Sequence, residues 1–279
     1  MTRELLELER DEHRVLAAVE FVDATSGARI AEPLRVAPAD PADAIAAASR
    51  WLRNRGGLLV LWSHPALAAH AAAFSTPPAL PALGSVALAL RVADPAGRYQ
   101  ARAFTLALPR DPDPAHAAQA GSLFRPQRVE LFRSAAAPLV GNWTPLHVRV
   151  AEAGGDLLGG TLIEVRGAGD ALLARGSTDW RGEALLPVAA LPITTWGADD
   201  GDVVVTETAA TVHAFHVAAL GTRTPPAWVA DGRAPAPALA PCPDPDVLGS
   251  HPQRVAATPQ PVALAARRGV RVALTLTLP

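Results

Sequence analysis

Apolar and polar positions alternate with a period of two through most of the apolar runs in this chain, the spacing of strands that bury one face in a sheet. The densest set runs from His147 to Val188, HVRVAEAGGDLLGGTLIEVRGAGDALLARGSTDWRGEALLPV, with Gly or Asp at every break. It reads as strand, turn, strand, turn, strand, turn, strand: a small β-sandwich in linear form. The cleanest alternation closes the chain. Val270, Val272, Leu274, Leu276 and Leu278 interleave with Arg271, Ala273, Thr275 and Thr277, which predicts a final strand that returns to a sheet.

Elsewhere the pattern is shorter. VLAAVEFVD and RIAEPLRV flank Ser26-Gly27 and predict a hairpin, with Pro33 demoting its second strand toward an edge. Leu58–His64, Val86–Val92, Arg102–Leu108 and Gln127–Phe132 read as further strands, as do VVVTETA and TVHAFHVAAL after residue 202. Two helical signals interrupt them. Thr2–Arg14 places Leu5, Leu6 and Leu8 on a narrow apolar stripe, and Pro38–Arg53 carries Asp43 ahead of AIAAASRWL. From Pro225 to Pro261 the composition is Pro, Ala and Asp, so an extended segment with little regular structure is expected.

These elements predict an all-β chain of two β-sandwich domains with a short N-terminal helix and a long Pro-rich C-terminal segment ending in a strand. The expected division is an N-terminal β-domain at 1–108, an interdomain connection at 109–142, a second sandwich at 143–221, and the Pro-rich segment with its terminal strand at 222–279.

Composition removes chemistry. At 279 residues with 49% hydrophobic content, the chain can bury two cores of ordinary size. All 25 basic residues are Arg, so a Lys Schiff base, a Walker A lysine and a kinase lysine are impossible. The single cysteine, Cys242, excludes an intrachain disulfide and a multi-cysteine zinc site. A net charge of −2 offers no basic field for nucleic acid or an anionic membrane. The start, MTRELLELERDEHRVL, lacks the basic and apolar regions of a signal peptide, and no apolar run approaches the roughly 20 residues of a membrane span. Cytoplasmic synthesis is expected.

The stretch GDLLGGTLIEV…ALLARGSTDWRGEALLPV resembles the carboxypeptidase-regulatory-like module, a transthyretin-like sandwich of the wider immunoglobulin-like type. The likeness rests on Asp156, Leu158, Gly159, Gly160 and Leu162, then on the T-D-x-x-G turn of Thr178, Asp179 and Gly182. In such a turn Asp179 can accept from nearby backbone N–H groups while Gly182 supplies positive φ. A broader likeness follows from the order of β-domain, Gly97-Arg98-Tyr99, the LPRDP turn at Leu108–Pro112 and the second sandwich. That order resembles uncharacterised proteins accompanying phage-tail-like contractile injection systems, although no sheath, tube, spike or baseplate motif is present.

No residue set demands a reaction. His213 and His216 in TVHAFHV stand three apart on a strand, so their rings diverge, and no HExxH spacing occurs among His64, His70, His116, His147 and His251. Asp199, Asp200 and Asp202 form an acidic turn without the distant bidentate Glu of a calcium loop. No GxSxG elbow is present. Trp180, in a variable turn position, and Trp196 are candidates for partner contact. The expectation is a non-enzymatic structural protein without cofactors that meets other protein subunits, with self-assembly included, as in a phage-tail-like particle. The alternative is a carbohydrate- or ligand-binding sandwich, and the third reading is a hydrolase with a carboxylate pair assembled in space.

Overall fold

The computed structural model describes residues 14–73, 76–139, 143–192, 206–232 and 242–279, with the backbone alone at 195–196 and 203–204. Along the chain, the first part carries β1 (Ala17–Asp23), β2 (Arg35–Pro38), α1 (Ala44–Ala47), β3 (Arg50–Arg53), β4 (Leu59–Ser63), α2 (Ala68–Ala72), β5 (Val86–Ala93), β6 (Arg102–Leu108) and β7 (Gln127–Leu131). Next come β8 (Thr144–Glu152), β9 (Leu157–Gly159), β10 (Leu162–Arg166), β11 (Leu172–Ser177) and β12 (Glu183–Val188), then β13 (Thr195–Trp196), β14 (Val203–Val204), β15 (Thr208–His216) and β16 (Thr222–Thr224). The chain ends with α3 (Pro226–Ala230), α4 (Pro245–Ser250), β17 (Val255–Ala256), β18 (Gln260–Leu264) and β19 (Val270–Leu276). The molecule is predominantly β, in several discrete sheets. Among the described residues no helix is long and apolar enough to cross a membrane.

Contacts group the chain into two units. The first comprises Met1–Glu20, Pro41–Leu88 and Leu106–Gln127. Here the start of β1 pairs antiparallel with β4, Ala17 opposite Leu61 and Val19 opposite Leu59, and β3 pairs with the other edge of β4. Leu16, Ala17, Val19, Val60, Leu61, Leu67, Leu106 and Leu108 are buried; Ala17 with Val19 and Leu106 with Leu108 alternate as the sequence pattern predicts, whereas the adjacent Val60 and Leu61 of β4 are both buried. Asp43 caps α1 by accepting from Ala46 N at 2.9 Å, but the helix lasts only four residues. The chain then turns extended at Arg50 as β3, because Trp51 and Leu52 gain a strand partner in β4 that a longer Ala-rich helix would forgo.

The second unit comprises Phe21–Asp40, Ala89–Thr105 and Arg128–Pro279. Its main body is two facing sheets. One has the order β12-β8-β9-β16 with β19 on the other side of β8; the other has the order β11-β10-β15 with β17 and β18 both against β15. Leu146, Val148 and Val150 of β8, Ile163 and Val165 of β10, Leu186 of β12, Val212 and Ala214 of β15, and Leu274 and Leu276 of β19 meet in one core between them. At roughly 25 cal/mol per Å² of apolar surface buried, this layer is the main stabilising term of the unit. The terminal strand joins β8 in parallel, from Val270 opposite Leu146 to Leu276 opposite Glu152.

Several expectations change. Ser26-Gly27 does turn, with Gly27 at φ 69 and Asp23 Oδ1 accepting from Thr25 N and Ser26 N, but β1 and the segment after it share only the bridge Val22–Arg29. The following strand pairs with β5 instead, Val36 opposite Val92. The stretch His147–Val188 contains a short additional strand, β9, and VVVTETA with TVHAFHVAAL yields one nine-residue strand, β15, preceded by the stub β14. The Pro-rich segment is not merely extended. Pro226 and Pro245 start α3 and α4, where a missing N–H costs nothing and φ is already set, and Asp244 caps α4 by accepting from Asp246 N. Beyond them, β17 and β18 bond to β15. The helix expected over Thr2–Arg14 lies outside the described residues save its last one.

Candidate functional site

The turn residues singled out from the sequence converge in the second unit. Thr178 is buried; its Oγ1 donates to Leu158 O at 2.6 Å and accepts from Thr161 N at 2.9 Å, tying the β11–β12 turn to the β9–β10 turn. Asp179 Oδ1 accepts from Arg181 N at 2.8 Å and Glu183 N at 3.2 Å, while its Oδ2 takes the Arg181 guanidinium at 2.7 Å. Gly160 and Gly182 hold φ of 74 and 67. A Cβ on Gly182 would overlap Val150 O, and one on Gly159 would overlap Thr222 Oγ1. These residues build the turns. Trp180 is half-buried with the Arg181 guanidinium 6.0 Å from its ring, whereas the side chain of Trp196 and the acidic residues Asp199, Asp200 and Asp202 lie outside the described residues.

The histidines of β15 face opposite sides. His213 stacks on Phe215 at 6.4 Å, and His216 is buried with Nδ1 2.9 Å from Thr161 Oγ1. Burial, with the Arg223 charge adding to it, pushes the His216 pKa down to about 4. His147 is exposed on β8.

Carboxylates in this unit, the buried Asp23 among them, are held by arginines. Asp23 receives Tyr99 Oη at 2.9 Å and Arg133 Nη2 at 2.7 Å, and Arg133 lies over the Trp143 ring at 4.8 Å. Burial acts to raise the Asp23 pKa, but the donors from Ser26, Tyr99 and Arg133 outweigh it and hold the carboxyl below its ordinary range. The same surroundings push Tyr99 up to about 12, through burial first and the Asp23 carboxylate second. Arg102 is buried and joins Glu130 O at 2.9 Å, Asp244 Oδ1 at 3.0 Å and Asp246 Oδ2 at 2.9 Å; Arg175 adds a bond to Asp246 Oδ1 at 2.8 Å. Burial raises Asp244. For Asp246 burial acts the same way but is outweighed by Arg102 and Arg175, so its pKa falls. Both acids point at arginine side chains rather than at each other across a cleft.

A well-defined concavity belongs wholly to the first unit. It is a cleft of about 740 Å³, within the range of small-molecule pockets. Leu16 and Leu67 are buried in its wall, Pro77, Pro78, Pro81, Pro109, Pro112 and Pro114 surround it, and Leu83 and Phe124 stand at its rim, each 57% exposed. Two buried cationic or titratable side chains line it. Arg110 is 8% exposed; its Nη2 donates to Ala120 O, Ser122 O and Arg125 O at 2.8–2.9 Å, its Nε has no partner, and burial lowers its pKa. His70 is 7% exposed, with Nδ1 unpartnered. Asp111 and Asp113 also line the cleft, but Asp111 accepts from Asp113 N at 2.9 Å and faces His116 Nδ1 at 2.7 Å, while Asp113 accepts from Ala115 N at 2.8 Å. The hydrogen bond that His116 donates to Asp111, and the charge of that carboxylate, raise the His116 pKa.

None of the cleft residues emerged as a site from the sequence, although the LPRDP turn that supplies Arg110 and Asp111 was visible there as a motif. Its proline density reads locally as turn chemistry, and the three carbonyls that surround Arg110 come from residues 10 to 15 positions away. Among the described residues no group of three or more His, Cys, Asp or Glu side chains could hold a metal ion. No protein-family model matches the chain, and no curated protein matches it in sequence.

Proposed function

We propose that the chain is a non-catalytic assembly protein, a subunit of a phage-tail-like particle, whose second half is a transthyretin-like module of the carboxypeptidase-regulatory kind. One observation carries this reading. Among the described residues β19 pairs with β8 alone, so a strand of seven residues presents its other edge as unpaired backbone groups. Arg271 is its one charged side chain. An open edge of this length invites aggregation unless another chain adds a strand to it, and strand addition is a standard mode of subunit contact. The module assignment draws on the Thr178-Asp179 turn with its buried hydroxyl and positive-φ glycine, which link two β-turns across the sandwich.

The test is isolation of the full chain from its own cells under native conditions. Sedimentation in a high-mass particle together with contractile-tail subunits is expected, and Thr275→Pro or Leu274→Pro, which between them remove an edge N–H of either orientation, should release it. A chain that sediments as a free monomer beside intact particles overturns the reading. Ligand recognition is the second reading, and the proline-lined cleft of the first unit favours it.

A further inference from the structure

We propose that the cleft of the first unit binds an amphipathic monocarboxylate, an apolar body of roughly ten carbons with one anionic head. This inference rests on the ligand-recognition reading and names the chemistry of its ligand. The apolar body follows from the wall: Leu16, Leu67, Leu83, Leu123 and Phe124 among prolines, a surface that offers van der Waals contact and few hydrogen bonds. Leu83 and Phe124 are large side chains left more than half exposed at its mouth, the arrangement expected where a ligand completes the burial.

The anionic head follows from charge. Arg110 is buried at the cleft, and among the described residues its hydrogen bonds go to three backbone carbonyls, neutral groups that orient the guanidinium without neutralising it. A buried cation without a counter-charge is costly, and the cost falls when a carboxylate takes the adjacent position. The acids nearest in sequence do not serve. Asp111 is engaged with His116 and Asp113 N, and Asp113 with Ala115 N, so both carboxylates close turns of their own loop. At the Arg110 position, where the guanidinium meets neutral carbonyls and Asp111 and Asp113 are held in their own turns, the cleft favours a ligand head of opposite charge over a neutral or cationic one of the same length.

The experiment is calorimetric titration of the full chain with decanoate, decanol and decylamine, each below its aggregation threshold. Decanoate should bind at least about tenfold tighter than decanol, decylamine should bind weakest, and octanoate should lose up to about fourfold per methylene removed. Leu83→Asp and Phe124→Asp lie at the rim, where neither holds the core, and each should weaken decanoate about tenfold or more. Arg110→Gln, checked for an unchanged circular dichroism spectrum, should bring decanoate to the level of decanol. Because Arg110 also organises its loop, the rim variants keep the test decisive if that variant does not fold. Decanol binding as well as decanoate, or decylamine binding better, would leave the cleft a ligand site and overturn the carboxylate assignment. No heat with any of the three up to about 1 mM, or binding indifferent to both rim variants, overturns the site itself.

Discussion

At the scale of single residues, the sharpest constraint is Gly182. Its φ of 67 and the Val150 carbonyl beside it leave no room for a side chain, so Gly182→Ala must both strain the backbone and displace a strand carbonyl. The expected cost is about 2–3 kcal/mol, read as a shift in the urea midpoint at unchanged slope; a variant within about 0.5 kcal/mol of the parent would show that the turn relaxes freely. His216 makes stability depend on pH. Its folded pKa of about 4 lies below its ordinary 6.5, so the unfolded chain takes up the proton first. Stability is therefore full above pH 6.5 and falls as the pH drops toward 4, by at most about 3 kcal/mol. His64, also lowered by burial, acts in the same direction. In His216→Asn the loss between pH 6.5 and 4 should shrink markedly, and an identical pH profile would assign the effect elsewhere. The turn residues Thr178, Asp179 and Gly182 were legible in the sequence because their partners lie within a few positions or at the next turn. The Arg102, Asp244 and Asp246 cluster was not, since more than 140 residues separate donor from acceptors and no local rule pairs them.

At the scale of elements, legibility followed the strength of the period. The strand read at Arg102–Leu108 coincides with β6, whose alternate residues are buried, and the alternation from Val270 onward coincides with β19. Where the period was short, tertiary pairing decided: Arg50–Arg53 left a helical context to join β4, and Arg35–Pro38 chose β5 over the nearer β1. Proline misled in the last quarter, where it starts helices instead of preventing them. α4 illustrates the outcome, since its cap Asp244 and first-turn Asp246 both reach Arg102 on β6. Arg102→Leu should cost about 3 kcal/mol, because it leaves the partly buried Asp244 carboxylate without its cation, while the exposed Asp246 keeps Arg175. Asp244→Asn in that background should cost much less than it does alone, and additive losses in the double-mutant cycle would mean that the cluster does not act as a unit.

At the scale of the whole molecule, the consequential feature is that the second unit is closed by its last residues. Val272, Leu274, Leu276 and Leu278 belong to the sandwich core, and β19 lies parallel to β8, the strand that opens the same sandwich more than 120 residues earlier. A parallel partner cannot arrive by a tight turn, so its contacts are of long range and carry a large loop-closure cost. Removing residues 269–279 deletes four buried apolar side chains, each contributing about 1.5–3 kcal/mol, a sum comparable to the entire stability of a typical domain. It also turns β8 from a central strand into an edge lined by the exposed core. The truncated chain should therefore aggregate on expression, and a synthetic peptide spanning residues 268–279, supplied during refolding, should restore soluble protein by filling the vacant position beside β8. A truncated chain that is soluble, monomeric and melts with the parent would mean that β19 decorates the sheet rather than completes it, and would remove the open edge on which the assembly reading depends.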